Sequence, residues 1–395
     1  MRYEDVQLHE VALSHCSAPL PDAAAKLSLE FASIEALIKP HMRVAIATGS
    51  RGIRNIAHIV QRLVAEIKQR GAEPFIVPAM GSHGGATGEG QKAVLSGYGI
   101  GEESAGAPVI SSMAVDALGS TGGHPDIPVW MDRAAYASDG VIVINRVKPH
   151  TDFHGVHESG VVKMLAVGLG KHRQAIQMHA YGASGLRESI PRVARKVIES
   201  GKILAVLALL EDGYDHTADL AFAAGMDIFD LDAAFLERSR KMMARLPFER
   251  LDVLVVENIG KDISGTGMDT NVIGRIRAGG QADARPNIKI VVALDLTPAS
   301  HGNALGVGLA DITTRKLAGK IDWNATYQNV ITSGFLSRGF LPVVMETERD
   351  AIQLALDVCG CKKADELKMV RIKSTLDLSR VRISKALLHQ LAQAT

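Results

Sequence analysis

The segment from Lys148 to His179, KPHTDFHGVHESGVVKMLAVGLGKHRQAIQMH, contains five histidines and three lysines but only two carboxylates. Histidine changes its charge near neutral pH, so it can serve as a general acid or base and as a metal ligand. Lysine supplies an amine that can act as a nucleophile. The segment therefore combines the groups needed for proton transfer, metal binding and covalent attachment.

Lys163 has apolar neighbours on both sides, with Val161 and Val162 before it and Met164 and Leu165 after it. Loss of hydration in such surroundings favours the uncharged, nucleophilic amine. The alternative is a lysine whose charged end reaches solvent from an apolar helix. The local sequence leaves both interpretations open.

Three histidines, His150, His154 and His157, follow one another at spacings of four and three residues. On a helix this spacing would align the three imidazoles on one face. Such a group could bind zinc or another divalent metal. Gly155 and Gly160 count against a stable helix here, because glycine disfavours a helix interior.

Two further loops carry candidate residues. His83 lies in Gly-Ser-His-Gly-Gly, where the backbone can approach a ligand closely. Its alternative role is to bond within its own turn. Arg51 follows a predicted strand and precedes a predicted helix, a position suited to pairing with a carboxylate or phosphate. Its alternative is a solvated surface arginine.

Alternating strands and helices are predicted along most of the chain, with strands at Val44–Ala47, Pro74–Val77 and Gly140–Val147. Strand–helix–strand units imply parallel strands, and ligands bind beyond the carboxyl ends of such strands. Unusual loops follow four predicted strands: TGSRG, MGSHGGATGEG, the histidine-rich segment and ENIGKDISGTGMDTN. We therefore expect these loops to form the functional site.

A chain of 395 residues is too long for one compact core. The sequence predicts two α/β domains with parallel-sheet cores and an active-site cleft between them. A long helical stretch is predicted from Ala218 to Leu246, and Pro247 marks the boundary. Residues 1–247 would carry the reactive lysine and histidines, and residues 248–395 would close the cleft. The last roughly 20 residues are left open to pack back on the first domain.

Composition excludes several classes of protein. The net charge is +1, from 44 basic and 43 acidic residues, which is no electrostatic footprint for nucleic acid. No apolar run reaches membrane-spanning length, and the first residues lack the layout of a signal peptide. Three cysteines are too few for a disulfide framework. We expect a cytoplasmic protein with a small-molecule substrate, and the sequence leaves its oligomeric state open.

The order of these motifs from Val44 to His179 resembles the nickel-dependent lactate racemase family. In that family a lysine is followed sixteen residues later by a nickel-binding histidine, and His179 stands sixteen residues after Lys163. The matching motifs are Thr48-Gly-Ser-Arg51-Gly, Gly81-Ser-His83-Gly84, His150, Phe153-His-Gly155 and Ser159-Gly160-Val-Val-Lys163.

The resemblance implies an isomerase, a racemase or epimerase of a 2-hydroxy acid that works through a 2-keto intermediate. Its cofactor would be the nickel-pincer nucleotide (nickel pyridinium-thioamide-thiocarboxylate mononucleotide). The element with Ser159 and Gly160 would bind this cofactor, with the covalent link at Lys163 and nickel on His179. His83 and His150 would alternate as base and acid, one for each enantiomer. Arg51 would bind the substrate carboxylate.

Departures from the family pattern bear on the substrate. Thr48 replaces an acidic residue, Gly84 replaces an arginine, and the lysine motif lacks one glycine. A few residues are inserted before Lys163, among them His154 and His157, to which no role is assigned. Lactate, longer or aromatic hydroxy acids and sugar acids all remain candidate substrates.

In the second domain, Asp269 and Asn271 resemble a substrate-contacting helix start, together with Arg275 and Arg277. The segment Ser300-His301-Gly302-Asn303 resembles a glycine-rich loop of the family.

Two other functions remain open at this stage. One is a zinc or other divalent-metal enzyme that uses His150, His154 and His157. The other is an α/β binding protein that lacks the cofactor.

Overall fold

The computed structural model describes residues 1–49, 52–277 and 285–394. In this part of the chain the strands are β1 (Leu8–Ala12), β2 (Arg43–Thr48), β3 (Glu73–Pro78), β4 (Val115–Ser120), β5 (Pro128–Asp132), β6 (Gly140–Arg146), β7 (Ile203–Glu211), β8 (Thr217–Ala223), β9 (Arg250–Ile259), β10 (Asn287–Leu296), β11 (Ile312–Thr314), β12 (Val343–Met345), β13 (Met369–Ile372) and β14 (Arg380–Ser384).

The α-helices of the same residues are α1 (Ala23–Phe31), α2 (Ile56–Gln69), α3 (Gly88–Gly97), α4 (Glu102–Ala105), α5 (Arg133–Tyr136), α6 (Val161–Lys163), α7 (Lys171–His179), α8 (Gly182–Glu199), α9 (Asp227–Met242), α10 (Thr270–Ile273), α11 (Arg315–Ala318), α12 (Trp323–Ser333), α13 (Glu348–Val358) and α14 (Lys385–Ala394). A π-helical turn, Met164–Gly168, joins α6 to the residues before α7. Across the described residues, no helix combines the length and the apolar character needed to cross a bilayer.

The chain divides into two compact units. The central unit is Cys16–Met243, and the discontinuous unit combines Met1–His15 with Ala244–Thr395. The division near residue 243 lies close to the predicted boundary at Pro247. Residues 1–15 differ from the prediction, because β1 pairs antiparallel with β14 and so belongs with the second half of the chain. Pairing between such distant segments leaves no local signal in the sequence.

The central unit contains a five-stranded sheet in the order β3-β2-β6-β7-β8. Strands β3, β2, β6 and β7 are parallel, as predicted, and β8 is antiparallel to β7. The predicted helix from Ala218 is wrong at its start, since Thr217–Ala223 forms β8 and α9 begins at Asp227. The alternation of Ala, Leu and Phe with polar residues suits a strand with one covered face.

Helix α2 illustrates how the sequence builds this layer. Its buried residues recur at helical spacing, which places them on one face against the sheet. Each fully buried aliphatic side chain contributes about 1.5–3 kcal/mol relative to an exposed one. Gly71, with φ of 74°, follows the helix and allows the left-handed turn into β3.

Strands β2 and β6 are neighbours, but the chain continues from them in opposite directions, toward β3 and toward β7. In an open parallel sheet this switch point leaves a crevice beyond the carboxyl ends of the two strands. The loop after β2, the His83 loop after β3 and the histidine-rich segment after β6 therefore all begin at the carboxyl ends of neighbouring parallel strands. Three of the four loops predicted to form the site therefore follow strands of this one sheet, and the fourth follows β9 of the other unit.

The discontinuous unit has a seven-stranded sheet in the order β1-β14-β13-β9-β10-β11-β12. Strands β13, β9, β10, β11 and β12 are parallel, and β14 and β1 are antiparallel additions at one end. Both units therefore have parallel-sheet cores, in agreement with the predicted α/β class.

The loop after β3 packs tightly against α3. A Cβ added at Gly90 would lie 1.9 Å from the carbonyl oxygen of Gly84, a distance that the backbone must move to relieve. Gly84 itself has φ of 62°, which L side chains rarely adopt. The two glycines therefore set the path of the chain on either side of the short turn after His83.

Gly90→Ala should destabilise the central unit by about 1–3 kcal/mol, because the added methyl group has no space. Gly97→Ala lies in the same helix with open space around the added Cβ. That control should stabilise by up to about 1 kcal/mol. Denaturant unfolding of both variants tests the difference, and equal effects would show that the loop yields easily.

Candidate active site

Lys163 and His150 contact each other in the segment that follows β6 of the central sheet. Lys163 ends the short helix α6, and its Nζ lies 2.5 Å from Nε2 of His150. The apolar neighbours of Lys163 are buried, as the sequence predicts, and His150 is only 8% exposed. The reactive amine is thus held against an imidazole in surroundings with little water.

The protonation of this pair follows from a second contact. The backbone N–H of Asp152 donates to Nδ1 of His150 at 2.9 Å. A neutral ring that accepts at Nδ1 carries its proton on Nε2. In that tautomer Nζ of Lys163 is the acceptor, which only an uncharged and therefore nucleophilic amine can be. With the imidazole proton on Nδ1 instead, an ammonium at Lys163 would donate to Nε2.

The segment that carries His150 folds around the carboxylate of Glu158, which is fully buried. Glu158 accepts hydrogen bonds from the amides of His150 (2.6 Å) and Gly155 (3.0 Å) and from Arg240 (2.6 Å), and it lies 3.3 Å from Nδ1 of His154. Burial alone would raise the pKa of Glu158, but these hydrogen bonds outweigh it and lower the pKa.

A second buried carboxylate, Asp232 of α9, holds the end of the same segment. Its oxygens contact Nδ1 of His157 at 3.0 Å and the backbone N–H of Val162 at 3.2 Å. A Cβ at Gly160 would lie 2.0 Å from Oδ1 of Asp232, so only glycine fits there. Ser159 pairs through its backbone with Lys148. The described contacts of Ser159 and Gly160 are thus with other residues of the central unit, Lys148 and Asp232.

The π-helical turn Met164–Gly168 follows Lys163 directly, and such turns occur frequently at functional sites. The carbonyl of Gly168 accepts a hydrogen bond from Gly81 N–H at 3.4 Å. A Cβ at Gly49 would lie 3.2 Å from Cε of Met164. The loops after β2 and β3 therefore both lie against the turn that follows Lys163, and His83 is exposed in the second of them.

His179 ends α7. Its Nδ1 is buried without a hydrogen-bond partner among the described residues. Burial is the main cause that lowers the pKa of His179, the charge of Lys163 acts in the same direction, and Asp152 opposes them. The effect of burial on the pKa of His179 does not depend on whether Lys163 is charged. A neutral imidazole with an unused buried nitrogen is the form that binds metals.

The metal site weighed for His150, His154 and His157 does not form in the described part of the chain, where no three histidine, cysteine, aspartate or glutamate residues are grouped to hold a metal. The expected glycine interruption is present, since no helix forms between β6 and α6. The Nδ1 atoms of the three histidines face different groups: the Asp152 amide, Glu158 and Asp232.

The remaining predicted site residues are Arg51 and four residues of the discontinuous unit, Asp269, Asn271, Arg275 and Arg277. Arg51 lies outside the described residues. Asp269 caps α10 and accepts hydrogen bonds from the backbone and side chain of Asn271. Arg275 and Arg277 both pair with Asp311, and Arg275 is buried. One carboxylate is thus shared by two guanidinium groups, and the suggested substrate contacts of these two arginines stay a prediction.

A family model described as "Domain of unknown function (DUF362)" matches residues 36–237, just over half of the chain. The chain belongs to the DUF362 family. The matched range lies within the central unit and includes His83, His150, Lys163 and His179. A comparison of this DUF362 protein with curated proteins finds no match.

The DUF362 chain is similar to a solved structure titled as the lactate racemase apoprotein from Thermoanaerobacterium thermosaccharolyticum. The identity is 11% and the TM-score 0.55, and the match covers 91% of this chain and 92% of that chain. At this identity the likeness shows the fold alone. It confirms the α/β class predicted for the DUF362 chain.

Sequence reasoning missed the residues that hold the site together: Glu158, Asp232, Arg240, Asp132 and Gln91. Glu158 carried a usable signal, since it is one of two carboxylates in a histidine-rich segment. Asp232 and Arg240 lie on α9, far along the chain, and look like ordinary helix-surface charges. Their burial against the loop becomes visible only in three dimensions.

Glu158→Gln should destabilise the central unit by about 2–4 kcal/mol at pH 7, because an amide cannot satisfy Arg240 and two backbone donors together. The lowered pKa means that the carboxylate stabilises the fold above the ordinary glutamate value of about 4.3 and that this contribution is lost as the pH falls through the lowered value. The difference between the two proteins should therefore shrink in acid, as measured by denaturant unfolding.

Glu237→Gln is the matched control. Glu237 also pairs with Arg240 but is 61% exposed, so its loss should change stability by no more than about 0.5 kcal/mol. A Glu158→Gln effect equally small at pH 7 would contradict the organising role of this carboxylate.

Proposed function

We propose that this DUF362 protein is a racemase or epimerase of a 2-hydroxy acid that uses a nickel-pincer nucleotide linked to Lys163. The observation that carries the proposal is the 2.5 Å contact between Nζ of Lys163 and Nε2 of His150. The motif order and the sixteen-residue spacing of Lys163 and His179 add support.

The residues present fit such a cofactor. Covalent attachment needs an uncharged amine, a form that Nε2–H of His150 stabilises at Lys163 when it donates to Nζ. Metal binding by one protein ligand needs a neutral imidazole with a free nitrogen, which matches the buried Nδ1 of His179. Lys163 and Asp152 both contribute to the pKa shift of His179, which supports a position of the imidazole near the amine. When bound, the cofactor would supply reversible hydride acceptance.

The protein's own task is then proton transfer at the substrate hydroxyl. Either enantiomer must lose its hydroxyl proton, and the oxygen must regain a proton when hydrogen returns to the opposite face of the carbon. One base is therefore needed for each orientation of the substrate. His83 and His150 are the proposed pair. His83 comes from the loop after β3, and His150 comes from the segment after β6. These elements enter the same edge of the sheet from either side of β2.

His150 must change its tautomer to act as a base at Nε2. With Nδ1 accepting from the Asp152 amide, Nε2 holds a proton. The carboxylate of Asp152 lies 3.9 Å from Nδ1 and could accept a proton placed there. Once Lys163 is acylated, its nitrogen becomes a donor, and Nε2 of His150 is then favoured as the acceptor.

Three residues singled out from the sequence, Arg51, Asp269 and Asn271, are proposed to orient the substrate. Arg51, in the loop after β2, is proposed to bind the substrate carboxylate, since a bidentate contact would hold the reacting carbon between the two histidines. Asp269 and Asn271 are proposed to contact the remainder of the substrate.

Protein purified from a host that makes the cofactor should carry a nucleotide adduct on Lys163, detected by intact-mass and peptide mass spectrometry. Lys163→Met should lose the adduct and all racemisation, because the amine is the attachment point. Lys92→Met, a change at an exposed lysine of α3, should retain both. Full activity with unmodified Lys163 would refute the proposed attachment.

His179→Ala tests the proposed nickel ligand separately from the attachment at Lys163. It should lose most of the nickel while the adduct on Lys163 remains. Unchanged nickel content would move the ligand assignment, first to His154 or His157.

His83→Ala and His150→Ala should each lower racemisation by about 10²–10⁴-fold in both directions, since each direction uses one histidine as base and the other as acid. The losses should not add, because the pair acts as one unit. Turnover of both enantiomers of lactate, aromatic hydroxy acids and sugar acids is the measurement, expressed per adduct-bearing molecule.

His124→Ala, at an exposed histidine of the central unit, is the control for these variants and should be fully active. Near-normal racemisation by His83→Ala with the adduct and nickel in place would contradict the two-base scheme.

A further inference from the structure

Lys171 is a fully buried lysine that the proposed chemistry does not use. Its ammonium lies 3.1 Å from Oδ2 of Asp132, and it donates to Oε1 of Gln91 at 3.0 Å and to the carbonyl of Pro78. Asp132 and Gln91 are also fully buried. Burial lowers the pKa of Lys171, while Asp132 opposes this shift.

Gln91 connects this buried charge to the His83 loop. Its Nε2 donates to the carbonyls of Gly81 at 2.9 Å and of His83 at 3.3 Å. Because Lys171 can only donate, the oxygen of the Gln91 amide must face it, and the NH₂ group must face the loop. The buried lysine therefore fixes the orientation of the amide that holds the backbone of His83.

Lys171 also begins α7, the helix that ends at His179. Its φ of 55° is in the left-handed region, a conformation that is strained for a non-glycine residue. A buried ion pair adds little net stability, because desolvation offsets the attraction. An arrangement with these costs is better explained by the position it enforces than by the stability it gives.

We infer that Lys171 and Gln91 are positioning residues that fix the His83 loop relative to α7. The inference rests on the proposed function, in which His83 transfers a proton and His179 binds nickel at the end of that helix. A displacement of about 1 Å in a catalytic group can cost about 100-fold in rate. The network would thus set the distance between the proton-transferring loop and the metal ligand.

Gln91→Glu is the sharpest test. The carboxylate keeps an acceptor for Lys171 but cannot donate to the Gly81 and His83 carbonyls. In the cofactor-free full-length protein, amide hydrogen exchange in residues 81–87 should become at least about tenfold faster. In the loaded enzyme, kcat should fall about tenfold to 100-fold with KM little changed. The solvent deuterium isotope effect should rise, because proton transfer becomes rate-limiting.

Gln174→Glu is a matched control from α7. Gln174 is also fully buried, its Oε1 accepts from the Trp130 amide at 3.1 Å, and its Nε2 donates to the Pro128 carbonyl at 3.2 Å. The change removes the same kind of donor away from His83. It should lower Tm comparably, yet leave exchange in residues 81–87 and the isotope effect unchanged.

Several outcomes would overturn the inference. Unchanged exchange or an unchanged kcat in folded Gln91→Glu would do so, as would equal effects of the two variants on exchange and the isotope effect. Gln91→Met removes the same donors and repeats the test if Gln91→Glu does not fold. Failure of both to fold would assign Gln91 to the core alone.

The exchange measurement separates this inference from the proposed function. It uses protein without cofactor, so faster exchange in Gln91→Glu supports the positioning of the loop even if wild-type protein never acquires an adduct. Absence of an adduct and of racemisation in the wild type would refute the proposed function instead.

Discussion

The carboxylate of Glu158 has no access to solvent, yet it gathers the amides of His150 and Gly155 and the guanidinium of Arg240 around itself. A buried charge is tolerated only where donors replace the lost water. The segment between β6 and α6 has no regular structure, so it takes its shape from these donors. The contact between His150 and Lys163 depends on that shape, because the His150 amide is one of the donors.

Two ion pairs with buried carboxylates, one with a half-buried arginine and one with a buried lysine, thus organise the chain around the reactive lysine. Glu158 and Arg240 organise the segment before Lys163, and Asp132 and Lys171 organise the segment after its π-helical turn. Ion pairs of this kind contribute more to selecting one arrangement than to overall stability. The sheet provides the edge at which the loops meet, and the two pairs determine which side chains of those loops touch.

Much of the fold could be predicted from the sequence, because β2, β3 and β6 are β-branched runs followed by glycine-rich loops. The candidate residues could be predicted for the same reason, since they occupy those loops. The clustering of five histidines in one segment suggested a shared metal site, which the described residues do not form. His154 and His157 contact buried carboxylates, and the partner of His157 comes from α9, which no local pattern reveals. The pairing of Arg275 and Arg277 with Asp311 could not be predicted either, because Asp311 lies far along the chain in a strand connection.

The pairing of Leu8 with Ser384 has a consequence for biosynthesis. During translation, every residue of Cys16–Met243 leaves the ribosome before the partner of β1 exists. The central unit can therefore fold while the growing chain still carries an unpaired N-terminal strand. The seven-stranded sheet of the other unit can be completed only after β14 emerges. A nascent chain of this protein must keep β1 free of misplaced partners until then.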